Sequence, residues 1–322
     1  MFDITTLGEL IIDFVPVVRD DEEITDLYRK CAGGATANIT ACISKLGKKT
    51  AFIGNVGADS FGRFLKDTLK RNNIDVSGIS EDEDHFNALA FISHNKLKER
   101  SFEFYNKDTA EQFIDFRYIP LKLIDDCRMF HFGALTLSGD VSAEATVNCV
   151  KYAKERGKLI AFDTNYRNHF WKDKETAFAK MREVLKYCDI VKLSDDEFQM
   201  ITESDYLYKG ISELFHYGIK IVLVSQGANG CIIASSKGIK QLSTYSVETV
   251  DTTGAGDSFF GAFLYKILDT GKSLEEYTIE ELCDFADFAN ASGAICTTGY
   301  GAIPSLPTLE EIEDFRKTAK KL

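Results

Sequence analysis

The sequence predicts an α/β fold in which a central, mostly parallel β-sheet is covered by helices on both faces. Apolar segments of strand length alternate with amphipathic segments of helix length from one end of the chain to the other. Such alternation is typical of parallel sheets, whose strands are joined by helices that pack on the faces. Two further stretches, residues 10–19 and 87–105, have strand character without intervening helices and predict a small additional β-structure. No repeat or linker divides the chain, so we expect a single domain over residues 1–322.

The regular elements follow from local pattern, strands from short apolar runs and helices from apolar residues at helical spacing. The predicted strands are Ile4–Leu7, Thr50–Val56, Met129–Phe132, Leu159–Asp163, Ile190–Leu193 and Ile219–Ser225. The predicted helices are Ala35–Leu46, Phe61–Asn72, Ala143–Arg156, Glu175–Tyr187, Ser258–Leu268, Ile279–Cys296 and Leu309–Lys320. A further strand is expected to end within Tyr245–Val250.

The additional β-structure is expected to involve residues 10–31 and 87–106. In the second stretch, alternating side chains on both sides of a polar turn at residues 95–98 predict a hairpin. The hairpin is either a simple sheet edge or a lid over a binding site. An exposed edge of such a lid would invite pairing with a second copy of the chain, which predicts a homodimer.

Composition excludes several classes of protein. The net charge of −12 argues against nucleic acid and anionic membranes as partners, although not against a nucleotide ligand. No run approaches the roughly 20 apolar residues of a membrane-spanning helix. Asp3 and Glu9 interrupt the N-terminal segment, which therefore does not resemble a secretory signal. The eight cysteines are scattered without a C-x-x-C pair, which favours a reduced, cytoplasmic setting.

Residues 251–257, Asp-Thr-Thr-Gly-Ala-Gly-Asp, carry the most chemical information. They precede an amphipathic helix, and Gly254 and Gly256 leave backbone N–H groups uncovered at its N-terminus, where the helix dipole attracts an anion such as a phosphoryl group. Asp257 adds a carboxylate at the same point. It is either the structural cap of the helix or a general base for a hydroxyl that attacks phosphorus.

Two segments near the N-terminus offer groups for a polar ligand. Gly33 and Gly34 precede the helix that carries Asn38, whose amide can both donate and accept hydrogen bonds. Asp13 is a lone carboxylate in an apolar strand and must face solvent, a partner or a ligand such as a sugar. A glycine-rich turn without a ligand and a solvent-exposed Asp13 are the simpler alternatives.

Further polar groups follow the predicted strands, at the edge where parallel sheets bind ligands. Asn165 and Arg167 come after Leu159–Asp163 and are placed to contact a substrate. Residues 194–197, Ser-Asp-Asp-Glu, could organise a hydrated Mg²⁺ ion or form an acidic helix N-terminus. Ser225 and Gly227 end another strand and suit contact with nucleotide phosphates. A Walker loop, an H-E-x-x-H motif and a G-x-S-x-G motif are all absent from the sequence.

Taken together, these segments resemble the ribokinase-like (PfkB) family of carbohydrate kinases over nearly the whole chain. The segments with the strongest resemblance are Gly33–Asn38, Phe52–Gly62 and Asp251–Asp257. Within the family, the fructokinases are most similar, through Gly8–Asp13, Arg100–Tyr105, Asp163–Arg167, Lys192–Glu197 and Phe288–Ala294. The resemblance implies a three-layer α/β/α sandwich with a small β-sheet lid.

The resemblance also implies residue roles. Asp257 matches the catalytic base, and Gly254, Ala255 and Gly256 match the anion hole. The implied sugar contacts are Asp13, Gly33, Gly34, Asn38, Arg100, Phe102, Asn165 and Arg167. The implied nucleotide-side residues are Lys192, Glu197, Ser225, Gly227, Asn290 and Gly293, with Glu197 tied to Mg²⁺ and phosphate. The implied K⁺ site uses backbone carbonyls of Asp251, Thr253, Cys296, Gly299 and Gly301.

The implied reaction is ATP-dependent phosphorylation of D-fructose on its hydroxymethyl group, with Mg²⁺ and also K⁺ as cofactors. Alternatives are a kinase of 2-keto-3-deoxygluconate or of another sugar, a nucleoside kinase, and a non-catalytic sugar sensor. The sequence departs from the family pattern at Ser194, at Thr164 and at Asp108–Glu111. The last of these lies near the lid and bears on the choice of sugar. The segment after Gly227 lacks a common basic residue, which bears on the choice of nucleotide.

Overall fold

The structure is a computed structural model that describes residues 1–19, 22–94 and 100–322, with side chains at 1–17, 27–92 and 103–322. Its strands are β1 (Phe2–Leu7), β2 (Ile11–Arg19), β3 (Glu22–Gly33), β4 (Thr50–Gly57), β5 (Ile74–Asp82), β6 (Leu89–His94), β7 (Arg100–Tyr105), β8 (Cys127–Gly133), β9 (Leu159–Asp163), β10 (Ile190–Ser194), β11 (Ile221–Ser225), β12 (Cys231–Ser235) and β13 (Gly238–Leu242). Its helices are α1 (Ala35–Lys45), α2 (Ser60–Arg71), α3 (Lys122–Asp125), α4 (Asp140–Glu155), α5 (Lys174–Leu185), α6 (Asp195–Thr202), α7 (Leu207–His216), α8 (Ala255–Thr270), α9 (Ile279–Cys296), α10 (Ala302–Ser305) and α11 (Leu309–Thr318).

The central sheet has nine strands in the order β13-β12-β11-β10-β9-β8-β1-β4-β5. Neighbouring strands from β11 to β5 in this spatial order pair in parallel. Strand β12 pairs antiparallel with both β11 and β13. Every residue of β4 is buried, as expected for a parallel strand covered on both faces. The predicted mostly parallel sheet is therefore confirmed.

Two apolar cores lie on opposite faces of this sheet. One contains side chains of α1, α2, α8, α9 and α11, and the other contains side chains of α4 to α7. Neighbouring strand residues divide between them: Ala161 belongs to the first core, and Ile160 and Phe162 belong to the second. This division follows from the period of two along a strand. The result is a sandwich of helices, sheet and helices.

A second sheet of four strands, in the order β3-β2-β6-β7, contains both stretches that interrupt the α/β alternation. Strands β6 and β7 form the predicted antiparallel hairpin, whose turn at residues 95–99 lies outside the described residues. Strand β2 continues from β1 through Gly8–Leu10, and β3 leads into α1. The second sheet is thereby placed beside the carboxyl ends of the central strands.

Several elements differ from the sequence-based expectation. Strands β5, β12 and β13 and helices α3, α6, α7 and α10 are additional. The strand end expected within Tyr245–Val250 is wrong, because this segment is a loop with one bridge, from Tyr245 to Lys321. Within the described residues, no helix is long and apolar enough to cross a membrane. All eight cysteines are free thiols.

Candidate active site

The buried pair Asn38–Asp257 lies at the start of α8. The Asn38 side chain donates a hydrogen bond from Nδ2 to Oδ2 of Asp257 over 2.8 Å. Both side chains are almost completely buried, with 3% and 8% of their surface exposed. Asp257 is the third residue of α8, whereas Gly254 is the N-cap and provides no side-chain cap. The interpretation of Asp257 as the helix cap is therefore wrong, and its carboxylate is turned toward α1.

Gly254 shapes the turn that precedes this pair. Its φ of 78° lies in the left-handed region that favours glycine, and an added Cβ would come within 2.4 Å of the Cβ of Ala302. In the first turn of α8 the N–H of Gly256 has no partner within the helix, and that of Ala255 donates to the Thr252 carbonyl over 3.3 Å. The turn therefore presents backbone donors and the positive end of the helix dipole beside Asp257.

Asp13 and Gly33 meet on the side of the second sheet. Asp13 in β2 is 7% exposed, and a Cβ at Gly33 would lie 2.1 Å from its Oδ2 atom. Gly34 has a φ of 109°, and a Cβ there would lie 2.4 Å from the Glu9 carbonyl oxygen. Both glycines are thus required by close packing, and they bring the carboxylate of Asp13 near the start of α1.

Burial and charge together set the ionisation of the two carboxylates. Burial and, to a lesser extent, the charge of Asp257 raise the pKa of Asp13 to about 7, against the opposing effect of Arg167. Burial also raises the pKa of Asp257, against the effects of Lys192, the Asn38 hydrogen bond and Arg167. A raised pKa is what a general base near neutral pH requires.

A buried ion pair borders the same turn. Lys192 in β10 places its Nζ atom 3.0 and 3.2 Å from the carboxylate oxygens of Asp163 in β9. Burial alone would lower the pKa of Lys192, but the nearby carboxylates of Asp163, Glu197 and Asp257 outweigh it and raise the pKa. The same Nζ atom lies 3.3 Å from the position of a Cβ at Gly256. A charged ammonium group therefore lies against the glycine turn.

Glu197 is engaged in positioning the chain. Its carboxylate accepts hydrogen bonds from the Thr164 hydroxyl and from the backbone N–H groups of Tyr166 and Ser194. Ser194 and Glu197 form a capping box at the start of α6, which confirms the helix N-terminus interpretation of this segment. Asn165 has a positive φ of 25° in the turn that Glu197 holds, and Arg167 follows with an exposed side chain.

A cleft of about 530 Å³ adjoins the turn on the other side. Ala255 and Gly256 line its inner part, and Asn290 and Gly293 of α9 form one wall. The remaining lining residues include Ser225, Gly227, Gly230, Thr244, Tyr245, Ser246, Val247, Thr249, Thr252, Phe259, Ala294, Thr297 and Leu322. The structure thus brings four of the six predicted nucleotide-side residues into one cleft. Lys192 lies against Gly256 at its inner part, and Glu197 is not among the lining residues.

Two loops meet beneath the turn at the predicted K⁺ site. The Asp251 carboxylate accepts hydrogen bonds from the N–H groups of Thr253 and Gly301, at 2.9 and 2.8 Å. The thiol of Cys296 lies 3.7 Å from the Thr253 carbonyl oxygen and 4.0 Å from that of Ala302. Neutral carbonyl oxygens from two turns are a donor set that suits K⁺. Among the described residues, no group of three His, Cys, Asp or Glu side chains could hold a metal ion.

The chain is similar to known proteins over nearly its whole length. The sequence model of the family described as "pfkB family carbohydrate kinase" matches residues 1–309. The chain belongs to the pfkB family of carbohydrate kinases. This pfkB kinase is 38% identical to the probable fructokinase-3 of Arabidopsis thaliana, over 99% of this chain and 92% of that relative.

Solved structures confirm the ribokinase-like fold. Fructokinase from Xylella fastidiosa with bound ATP has a TM-score of 0.90 at 26% identity, covering 98% of this pfkB kinase and 99% of that chain. A double mutant of fructokinase from Vibrio cholerae O395, with fructose, ADP and a potassium ion bound, has a TM-score of 0.87 at 29% identity, covering 98% of each chain.

Two buried glutamates of this pfkB kinase were not predicted as site residues. Glu9 follows β1 and accepts hydrogen bonds from the N–H and hydroxyl groups of Thr36 in α1, at 3.4 and 3.1 Å. Glu111 accepts a hydrogen bond from the Thr109 hydroxyl. Burial raises the pKa of each to about 7. Glu9 directly follows a buried strand at the ligand-binding edge, and this position was the signal that could have identified it.

The side chains of Arg100 and Phe102 lie outside the described residues, so their predicted sugar contacts stay predictions.

Proposed function

We propose that the protein catalyses ATP-dependent phosphorylation of D-fructose on its hydroxymethyl group, giving fructose 6-phosphate. The observation that carries the proposal is the buried Asn38–Asp257 pair, which lies between the cleft at Gly256 and the polar pocket around Asp13. Such a position suits a base that must face a sugar hydroxyl and the terminal phosphate of ATP together.

Each group of residues has a distinct task in this reaction. Asp13, Gly33, Gly34 and Asn38 hold the sugar, with Asn165 and Arg167 on the neighbouring turn. Asp257 accepts the proton of the attacking hydroxyl. The N–H groups of Gly254–Gly256 and the ammonium group of Lys192 stabilise negative charge on the transferring phosphoryl group.

The nucleotide occupies the 530 Å³ cleft, where Ser225, Gly227, Asn290 and Gly293 lie. Glu197 acts by holding residues 164–166, because its oxygens already accept three hydrogen bonds. Mg²⁺ would therefore be held mainly by the nucleotide phosphates, and it would neutralise part of their charge. Backbone carbonyls of Asp251, Thr253, Cys296, Gly299 and Gly301 would hold K⁺, which would add positive charge beneath the turn.

The charge of the pocket favours a neutral sugar. Among the described side chains near Asp257, the carboxyl groups of Glu9, Asp13 and Asp163 accompany only two cations, Arg167 and Lys192, and Lys192 is paired with Asp163. An acidic sugar such as 2-keto-3-deoxygluconate would meet this negative charge, whereas fructose would offer hydroxyl donors to it. The similarity to fructokinases over the whole chain also supports fructose.

A coupled assay of ADP release would test the proposal with fructose, 2-keto-3-deoxygluconate, ribose and adenosine as acceptors, and with ATP and GTP as donors. We expect the highest kcat/KM with fructose and ATP. A higher kcat/KM with another acceptor would reject fructose as the substrate. Release of ADP with none of them would favour the sensor alternative.

The same proposal includes a cytoplasmic homodimer that pairs through the second sheet, which closes over the sugar as a lid. The eight free thiols are compatible with a reducing compartment. Strands β3 and β7 are the edges of the four-stranded sheet and offer hydrogen-bonding groups to a second copy. Light scattering coupled to size-exclusion chromatography would give the mass, and a monomer at micromolar concentration would contradict pairing.

A further inference from the structure

The outer wall of the nucleotide cleft is a loop without a continuous strand or helix. Residues 243–254 connect β13 to α8, and Thr244–Val247, Thr249 and Thr252 line the cleft. Near α8, the N–H groups of Val250 and Asp251 bond to the Thr297 carbonyl. A loop of this length requires further contacts to keep one conformation, because ordering each residue costs conformational entropy.

Residues 320–322, here called the strap, supply those contacts at the other end of the loop. The N–H of Leu322 donates to the Thr244 carbonyl, and the N–H of Ser246 donates to the Lys320 carbonyl, each over 2.9 Å. Tyr245 and Lys321 face each other in an antiparallel bridge. The strap therefore acts as a short partner strand for the cleft wall.

A buried carboxylate ties the strap to the body of the protein. Asp287 in α9 accepts hydrogen bonds from the Tyr245 hydroxyl and pairs with Lys321 and Arg316, at 2.8 and 3.0 Å. Tyr245 is 2% exposed, and the Lys321 ammonium group lies 5.5 Å from the centre of its ring. The strap is thus held through both its backbone and the Lys321 side chain.

Leu322 extends this arrangement into the cleft itself. It lines the cleft together with Val247 and Phe259, which are apolar, whereas the backbone donors of Ala255 and Gly256 lie beside Asp257. Because the phosphates belong at those donors, the apolar part of the cleft is left for the flat face of the base.

We infer that the strap is a nucleotide-binding element, which orders the cleft wall and contacts the purine base through Leu322. The inference rests on the proposed function, since it assigns the cleft to ATP. It predicts that the strap governs affinity for nucleotide and not for sugar.

Two substitutions of Leu322, compared with each other, separate its backbone contact from its side-chain contact. Leu322→Pro removes the N–H donor to Thr244, whereas Leu322→Ala keeps the donor and removes the apolar side chain. Lys321→Ala removes the tie to Asp287 and leaves the backbone intact. Lys317→Ala is the matched control, because Lys317 pairs with Asp314 on the exposed surface of α11, at 2.9 Å.

We expect Leu322→Pro to raise KM for ATP about tenfold, which corresponds to the loss of roughly one hydrogen bond and its ordering effect. Lys321→Ala and Leu322→Ala should each raise it about two- to threefold, as smaller contacts do. KM for fructose should stay within about twofold of wild type in all variants, and Lys317→Ala should change neither constant. Calorimetric titration with ADP should show the same order of affinities without turnover.

The inference is overturned if Leu322→Pro and Lys321→Ala both bind ADP as tightly as wild type, or if KM for both substrates rises equally. Because Lys321→Ala removes an exposed side chain and leaves Asp287 its contacts with Tyr245 and Arg316, it keeps the test decisive even if Leu322→Pro does not fold. Failure of the proposed function has a different signature. In that case, the wild-type protein itself would release no ADP in the presence of fructose.

Discussion

Asp257 combines burial, a raised pKa and a single directed hydrogen bond from Asn38. The bond leaves one carboxylate oxygen of Asp257 for a substrate hydroxyl and fixes the orientation of the group. Asn38 in turn keeps its Oδ1 atom without a hydrogen-bond partner among the described residues. A buried acceptor of this kind is costly unless a ligand satisfies it, which suits a sugar hydroxyl.

Asp257→Asn should abolish most turnover and preserve the shape of the site. Loss of a general base lowers the rate by about 10²–10⁴-fold, and we expect kcat to fall within this range. Binding of fructose, measured by calorimetry, should persist. Asp269→Asn is the control, because this exposed carboxylate lies near the other end of the same helix and pairs with Lys48 on the surface. A variant Asp257→Asn with more than about a tenth of wild-type kcat would exclude the role of base.

The two raised carboxyl pKa values should appear in the pH dependence of the reaction. Asp13 is largely protonated below its pKa of about 7, and the pKa of Asp257 is raised in the same direction. Because the base and the sugar-binding group both act as carboxylates, kcat/KM should rise as the pH increases from 6 to 8. The apparent pKa belongs to the coupled pair and not to one residue. A flat profile of kcat/KM over this range would contradict the requirement for ionised carboxylates.

At the scale of elements, α8 links the catalytic turn to the core. Its first residues form the turn beside Asp257, and its body packs Phe260, Phe263 and Leu264 into the first core. Glycines in the left-handed region flank both ends: Gly254 with a φ of 78° and Gly271 with a φ of 67°. The two ends therefore offer the same backbone conformation in different functional surroundings.

Alanine substitutions at these two glycines should separate stability from catalysis. Each places a Cβ on a left-handed backbone, which costs about 1 kcal/mol of folding free energy. Gly254→Ala also meets the Ala302 side chain and should displace the N–H donors, so that kcat falls by at least about tenfold. Gly271→Ala should lower the melting temperature while kcat stays unchanged. Equal kcat values for the two variants would show that the geometry of the Gly254 turn is not critical.

Sequence periodicity predicted amphipathic helices such as α2 and α5 well, because each buries one side, and it also predicted α1, α8 and α9, although these are buried on most sides. Shorter elements were missed for a physical reason. Helix α6 has eight residues and takes its stability from a capping box and from packing, which local pattern does not reveal. The loop at Tyr245–Val250 has strand-like composition, yet its partner is the three-residue strap and not a neighbouring strand of the sheet.

The residues of the candidate site likewise divide into those that local sequence predicts and those that it misses. Asp13, Asn38 and Asp257 could be predicted because each lies in a distinctive local motif. Glu9 and Glu111 were not assigned as site residues, because burial and neighbours that only the fold brings together give them their significance; for Glu9, its place after a buried strand was the one usable signal. Glu9 contacts Thr36, which is 27 residues away along the chain.

At the scale of the whole molecule, several buried carboxyl groups gather around the carboxyl ends of the central strands. Burial raises the pKa of Glu9, Asp13 and Glu111 to about 7 and that of Asp163 to about 6. Each of these pKa values exceeds the ordinary pKa of a carboxyl group in an unfolded chain, which is about 4. The folded state therefore holds protons that the unfolded state releases between about pH 4 and pH 7. The contribution of these groups to folding stability decreases as the pH rises through this interval, even though catalysis requires some of them to be charged.

Glu111→Gln should reveal how much a charged, buried carboxylate lowers the folding stability, without changing the proposed catalytic groups. The folded pKa of about 7 lies above the ordinary value of 4.5, so the protonated form is favoured in the folded state. Below pH 4.5 the substitution should have little effect. Above pH 7 the wild-type carboxylate is charged and buried, and replacing it by a neutral amide should stabilise the protein by up to about 3 kcal/mol.

Urea denaturation at pH 5 and pH 8 would measure the difference, with the exposed Glu155→Gln as control. If Glu111→Gln proved no more stable than wild type at pH 8, while both unfolded equally at pH 5, the buried charge at Glu111 would not limit stability. The pH dependence would then have to arise at Glu9, Asp13 and Asp163, nearer to Asp257 itself.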